Sequence, residues 1–381
     1  MNKHEKFQKL EDELNKFFKE RNELIHGTLL AILSRQHVFA VGPPGTAKSM
    51  IIRQISNQVK NGNYWEKLFT RYTVPDEVFG PVKLSKLKKD KFERRTDGSL
   101  PTANFAFIDE VFKANSSILN SLLTILNERI YHNDGQAVDV PLETMMSASN
   151  EIPDDRDELG ALWDRFLLKY RVKDVQQSSK FKNVIGTQED PSISVELTLD
   201  EIHKAQEEVK NVEIPDAVLD QVVEIREQLL SEGIRPSTRR YREAMGVVRA
   251  EAWFNGRDTA TVDDLHVLCH ILWDDIDHIS ITREKVTETT NPDLRDAIEL
   301  IDGIRDAWKH VKKAEEGSQE ETNRASEALS KINKSIKELR NIKKDMERED
   351  RSTDKVEGYI DEAEDIVENK IVDGIMKAGL D

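Results

Sequence analysis

An α/β fold with a parallel sheet, followed by purely helical segments, is predicted by the order of apolar runs in this 381-residue chain. Between residues 37 and 175, short continuous apolar runs alternate with segments of helical periodicity. Continuous apolar runs read as strands buried on both faces, and strands separated by helix-length segments read as parallel strands joined by crossover helices. Beyond residue 195 only helical spacing remains.

Residues 1–36 read as helices, with Phe7, Leu10, Leu14 and Phe17 on one face and a second apolar cluster at Leu24, Leu29, Leu30, Ile32 and Leu33. Candidate strands are residues 37–41, 68–72, 105–108 and 144–148. Within residues 77–101, Val82, Leu84 and Phe92, with the Asp97-Gly98 turn, predict a β-hairpin inserted in the α/β core. The polar stretch 178–194, with Gly186 and Pro191, reads as a linker. From 197 to 278 a second, helical domain follows, in which residues 239–254 place Tyr241, Ala244, Met245, Val248 and Trp253 at helical spacing. The expected domains are 1–180, a linker at 181–194, 195–280 and 281–381.

The C-terminal region has its own period. Apolar residues at Ala325, Leu329, Ile332, Ile336, Leu339 and Met346 follow steps of 4, 3, 4, 3 and 7, a heptad seam. A charged break at 348–354 precedes a helix with Val356, Tyr359, Ile360, Ala363, Ile366, Val367, Ile371 and Ile375. An antiparallel helical hairpin is expected, with an intermolecular coiled coil as the alternative.

Fifty-six basic against 72 acidic residues give a net charge of −16, which argues against general duplex-DNA binding. Residues 83–95 form a local basic run that reads as a solvated hairpin. The single cysteine, Cys269, permits no disulfide within the chain and reads as a small buried hydrophobe. The first residues lack the apolar core of a signal peptide, and no run approaches a membrane span, so a reducing cytoplasm is expected.

The most specific chemistry lies in VFAVGPPGTAKS, residues 38–49. An apolar run ends in a glycine-rich turn, and Lys-Ser opens a helix. Such a turn aims backbone N–H groups, and the helix N-terminus its positive potential, at phosphate oxygens. Lys48 is placed to reach the β- and γ-phosphates of ATP, and the Ser49 hydroxyl to bind Mg²⁺. Ala47 stands where the P-loop pattern has its second glycine, and is expected to be tolerated through helical dihedrals. Sixty-one residues after Lys48, the run FAFIDE carries Asp109 toward the Mg²⁺ shell and Glu110 toward an attacking water. Asn150 ends another apolar run and is suited to hydrogen-bond that water and the γ-phosphate. Arg165 also reads as a surface or ion-paired arginine, and Arg239 as part of helix-capping chemistry around Ser237 and Thr238.

GPPGTAKS, FIDEVFKANSSILNSLLTILNER, SASNEIP, ALWDRFLLK and PSTRRYREAM occur in the order seen in AAA+ ATPases of the MoxR family. RYTVPDEVFGPV and DGSLPTA resemble its RavA branch (regulatory ATPase variant A), and the likeness spans residues 20–275. The resemblance implies an AAA+ P-loop core, an all-α lid domain and a C-terminal helical extension. It implies that Gly42, Pro43, Pro44, Gly45, Thr46, Ala47, Lys48, Ser49 and Met50 form the Walker A loop, and Asp109 and Glu110 Walker B. It further implies sensor 1 at Asn150, an arginine finger at Arg165 acting on the neighbouring subunit's ATP, and sensor 2 at Arg239, with Arg240 its rival. Residues 77–101 resemble the helix-2 insert. The implied assembly is a hexameric ring with ATP and Mg²⁺ at each interface, Lys48 and Arg239 of one chain sharing one ATP. It remodels a protein partner, with a von Willebrand factor A domain protein as companion. A nucleic-acid-stimulated motor on the same core, and a non-catalytic scaffold ordered by nucleotide, are the alternatives.

Overall fold

The computed structural model describes residues 2–153, 156–186, 193–290, 292–311, 319–348 and 353–367. The described chain divides into two compact units, Met1–Thr282 and Arg283–Asp381.

The first unit is built on a five-stranded sheet of β1 (Val38–Val41), β2 (Tyr64–Leu68), β3 (Phe105–Asp109), β4 (Thr144–Ser149) and β5 (Leu168–Arg171). All neighbours are parallel, in the order β2-β3-β4-β1-β5. Every residue of β1 and β4 is buried, as the continuous apolar runs require. Ser147 and Thr144 are tolerated inside because their hydroxyls donate to the carbonyls of Ile108 and Gln36, at 2.8 and 2.7 Å. Phe39, Phe112, Trp163 and Phe166 pack ring to ring on one face of the sheet. A chain that passes from β1 to the far edge strand β2 leaves a switch point at the C-terminal end of β1, where such sheets hold ligands.

Three readings of the sequence shift here. The strand expected at 68–72 lies instead at Tyr64–Leu68, and Tyr72 is 90% exposed. As an edge strand half open to water, YWEKL has no continuous apolar signature. Strand β5 went unrecognised because Lys169 interrupts it, although that lysine is fully buried. Part of the expected linker, Ser178–Gly186, forms a helix with no buried residue, while 187–192 lie outside the described residues.

The insert at 77–101 doubles back through an antiparallel bridge between Val82 and Arg94, with short helices Pro75–Phe79 and Leu84–Leu87 beside it. Its base is pinched at Gly80, where φ is +90° and an added Cβ would stand 1.9 Å from the Arg95 carbonyl oxygen. A second hairpin, Ile130–Asn133 with Gln136–Asp139, turns at Asp134-Gly135. That Asp-Gly pair is the local sequence signal for this hairpin. Helix Thr238–Phe254 packs against α2 (Asn22–Ser34), and α2 against α1 (Lys3–Phe17). His26 of α2 staples these helices, its Nδ1 lying 3.0 Å from Glu11 and its Nε2 2.6 Å from Glu251.

Among the described residues of the second unit, three helices pack around one core: Pro292–Val311, Gln319–Arg348 and Asp354–Ile366. Ile332, Ile336, Leu339 and Met346 of the heptad seam are buried against Val356, Ile360, Ala363 and Ile366, as the expected hairpin requires. The first helix completes the core with Leu294, Ala297, Ile301, Ile304 and Val311, a heptad spacing of its own. Ile371 and Ile375 lie outside the described residues.

Burial opposes charge on His26, but the two carboxylates outweigh it and push the imidazole up to about 10. A folded pKa above the unfolded value means that this stabilisation is complete below the ordinary histidine pKa and disappears as pH rises through the folded value. Thermal midpoints of the wild-type chain fall between pH of about 7 and about 10, and His26→Gln flattens that fall. Gly80→Ala, forced against backbone at positive φ, costs about 3 kcal/mol in denaturant unfolding. Gly160→Ala, in a helix with open space around it, changes stability by about 1 kcal/mol in the favourable direction.

Candidate active site

The glycine-rich loop leaves the C-terminal end of β1. Its first amide, on Gly42, donates to the Ser149 carbonyl at 3.0 Å and ties the loop to β4. A Cβ on Gly42 would lie 2.1 Å from the Val172 carbonyl oxygen, so only glycine permits this approach. Pro43 and Pro44 are exposed, Gly45 turns with φ +80°, and Thr46 is buried with its hydroxyl donating to the Pro43 carbonyl at 3.0 Å. Ala47 has φ +66° and ψ +16°, so the helical dihedrals expected of it are absent. It adopts the left-handed conformation that the usual glycine supplies freely, at a cost of roughly 1–2 kcal/mol. The Ala47 carbonyl nevertheless accepts the Ile51 amide at 3.1 Å and starts α3 (Lys48–Asn57), which brings Ser49 and Met50 into its first turn.

Lys48 is buried, and its Nζ donates to the carbonyls of Gly42 and Pro43 and to the Thr46 hydroxyl at 2.9, 2.7 and 3.1 Å. Burial lowers its pKa, against the pull of the Asp109 and Glu110 carboxylates. Asp109 ends β3, and burial together with the Glu110 charge raises its carboxyl above the usual range. Glu110 turns off the strand with φ +57°. Its amide donates to the Ala148 carbonyl at 2.7 Å, and its Oε2 accepts from the Ser149 hydroxyl at 3.0 Å. Asn150 follows immediately on the loop and is exposed. Lys48, Asp109, Glu110 and Asn150 therefore meet at one edge of the sheet.

That edge has the donor set for a magnesium triphosphate. A glycine turn, a lysine and a helix start face two carboxylates, one of them made reluctant to ionise by burial and by its charged neighbour. Among the described residues no cluster of three or more His, Cys, Asp or Glu forms a closed metal cage. An ion that keeps waters and phosphate oxygens needs only Ser49 and Asp109 from the protein.

Two contributors went unnoticed in the sequence. Ser149 orients Glu110, but its hydroxyl sits within a run that reads as apolar. Arg21, 7% exposed, donates to the Thr46 carbonyl at 3.0 Å and the Lys173 carbonyl at 2.8 Å, clamping the loop from behind. Lacking any motif, Arg21 reads as a surface charge between helices.

Arg165 and Arg239 lie elsewhere. Asp164 and Arg165 precede β5, beyond the N-terminal edge of the sheet, while Lys48 lies beyond the C-terminal edge. A four-residue strand places about 10 Å between those edges before the loops are counted. Arg239 donates to Asp164 Oδ2 at 2.9 Å, lies close enough to Arg165 to depress its pKa, and acts likewise on His37 at the start of β1. The expectation that Lys48 and Arg239 of one chain share one ATP is thus not met. Helix Thr238–Phe254 runs beside α2 with its N-terminus at the edge away from the glycine loop.

Arg240 is 5% exposed and bonded to both Asp164 and Asp274 at 2.8 Å, whereas Arg239 is one-third exposed. Lys169, buried against the Trp163 ring at 4.6 Å and Asp274 at 3.5 Å, is brought down to about 7 by burial and by Arg240. The Arg165 Nε is buried without a hydrogen-bond partner among the described residues.

Comparison with known proteins matches this architecture. The family described as the MoxR domain in MoxR-vWA-beta-propeller ternary systems matches residues 5–210, and an AAA lid domain family matches 217–286. Two uncharacterised proteins of Methanocaldococcus jannaschii are 38% and 36% identical, each over 97% of this chain and 98% and 99% of their own. The chaperone MoxR1 of Mycobacterium tuberculosis is 26% identical over 42% of each chain. A solved structure from Cytophaga hutchinsonii, described as a candidate ATPase, superposes with a TM-score of 0.60 at 18% identity, covering 75% of this chain and 94% of its own. With a family match across more than half its length and relatives aligned end to end, this chain belongs to the MoxR family of AAA+ ATPases.

Proposed function

We propose that the protein hydrolyses ATP with Mg²⁺ in a hexameric ring and uses the cycle to remodel or assemble a protein partner. The observation that carries this is the separation of the machinery onto two sheet edges. Lys48, Asp109 and Glu110 occupy one edge, and Arg165 and Arg239 the other. In this reading one chain does not bring both sets to one phosphate. A neighbour presenting its second edge to the first chain's loop completes the site.

In this reading the loop amides, Lys48 and the Arg21 clamp hold the triphosphate. Ser49 and Asp109 hold Mg²⁺, which neutralises developing charge on the phosphate oxygens. Glu110, oriented by Ser149, takes a proton from the attacking water, and Asn150 positions that water against the γ-phosphate. Arg165 and Arg239 arrive from the neighbouring subunit. Arg239 is preferred over Arg240 as the sensor-2 residue because Arg240 is buried between two carboxylates. Loss of the γ-phosphate would release both neighbour arginines at once, loosening the interface.

A von Willebrand factor A domain companion accords with the description of the matched family, and a chaperone role with the name of MoxR1. The RavA likeness rests on the motifs alone. A division of the first unit into core, linker and lid at 1–180, 181–194 and 195–280 is part of this reading, beside family matches that end at 210 and begin again at 217. A cytoplasmic setting accords with the single buried thiol of Cys269. No helix among the described residues is long and apolar enough to cross a membrane. The heptad helix at 322–346 is read as a further docking arm for the partner, and it lies within the self-contained C-terminal bundle. Truncation near residue 310 would cut through its first helix.

ATP hydrolysis per chain rises with protein concentration, and adding Arg165→Ala to wild type at fixed total protein lowers the rate more than in proportion. The all-variant ring loses roughly 10³–10⁵ in rate. A flat, strictly proportional response would sink the composite site. Glu110→Gln keeps binding of a fluorescent ATP analogue but lowers turnover by roughly 10²–10⁴, and turnover equal to wild type would remove Glu110 as the base.

A further inference from the structure

The insert between β2 and β3 carries a surface that nucleotide chemistry does not use. Leu84 is 73% exposed, Leu87 48% and Phe92 55%, within nine residues of one another. Around them, residues 83–95 hold seven basic residues against two acidic ones, in a chain whose net charge is −16. Lys83 and Lys86 are spent on Glu93. Lys88, Lys89 and Lys91 are exposed and form no ion pair with any described residue.

This surface is held in place. The Phe92 amide donates to Asp134 Oδ1 at 2.9 Å, and the Arg94 amide to Asn133 Oδ1 at 2.7 Å. Asn133 returns a hydrogen bond to the Arg94 carbonyl at 3.0 Å, and Phe79 stacks on Tyr131 with ring centroids 5.1 Å apart. The insert thus rides on the hairpin Ile130–Asp139, which leads through residues 140–143 into β4 and Asn150. Its other end leads into β3, Asp109 and Glu110.

We infer that this insert is a docking surface for an acidic segment of a protein partner that carries large apolar side chains. The lysines supply complementarity to carboxylates. Leu84, Leu87 and Phe92 supply apolar area whose burial rewards a peptide. Nucleic acid would use the lysines but leave two leucines in water. Single-strand binding also needs several aromatic platforms, and here one ring is present, with the Arg94 guanidinium already 5.3 Å from its centre. The inference rests on the proposed remodelling function and deepens it by naming what is gripped and where. A segment bound here is connected by short chain paths to the residues that would sense ATP.

The test uses the full chain with Mg²⁺ and a slowly hydrolysed ATP analogue. The probe is a fluorescein-labelled peptide of Asp and Glu with Leu and Phe at helical spacing. Controls are the same peptide with Lys for the acids, the same with Ser for Leu and Phe, and oligo-dT. Anisotropy shows binding of the acidic apolar peptide, weakened by salt. Affinity falls by about tenfold, or roughly 1.4 kcal/mol, in Lys88→Glu/Lys89→Glu/Lys91→Glu and in Leu84→Ser/Phe92→Ser. These side chains are exposed, so the variants fold, and their basal ATPase rates stay at the wild-type value. Equal binding by both variants, or no binding, overturns the inference. Oligo-dT binding lost only in the lysine variant reassigns the surface to nucleic acid, and a changed assembly mass in either variant reassigns it to a second copy of this chain. Peptide capture by a chain without ATPase activity would defeat the hydrolytic reading and leave the surface standing. Normal ATPase activity without capture would defeat the surface alone.

Discussion

Because five strands run in the same direction, the sheet has two chemically different edges. At the C-terminal edge, chains leave strands into loops and helix starts, where N–H groups and positive potential gather. At the N-terminal edge, helix ends deliver the chain back to the strands. Everything that looks like phosphate chemistry within one chain, from the glycine loop to Glu110, lies at the first edge. Both arginines suited to completing that chemistry lie at the second. In the proposed ring, the polarity of the sheet is what leaves the second set of residues to a neighbouring subunit.

Local strain collects where the two halves of the phosphate edge meet. Ala47 and Glu110 both hold left-handed backbone, Ala47 at the start of the helix after the glycine loop and Glu110 at the first bend after β3. The Glu110 backbone is fixed by the Ala148 carbonyl, and the loop before Ala47 by Ser149, Val172 and Arg21. The fully buried β4 is the common anchor, and its terminal hydroxyl aims the acidic side chain. Such over-determination is how a fold sustains conformations that cost free energy where chemistry needs them.

The opposite edge is organised by charge. Asp164 and Asp274 hold Arg240 inside and leave Arg239 at the surface, while Lys169 shares the same buried pocket with Trp163. Breaking one member of such a buried network costs far more than the intact set contributes, because the remaining charge is left unpaired. The network joins the strand β5 to the first turn of helix Thr238–Phe254.

Periodicity and motif spacing determined much from the sequence alone. The parallel core, the glycine loop, the acidic strand end and the heptad seam are local patterns, and each follows from which residues recur along a few turns or one strand. What depended on distant neighbours did not show. β5 hid behind a lysine that only Trp163 and Asp274 make tolerable inside, and β2 behind the mixed polarity of an edge. Arg21 and Ser149 matter through partners far away in the chain, which no local pattern records. Above all, the sequence singled out Arg165 and Arg239 as candidates but not the edge on which they stand. That depends on the direction in which one helix packs against another, a choice made by the whole buried interface and by no single stretch of residues.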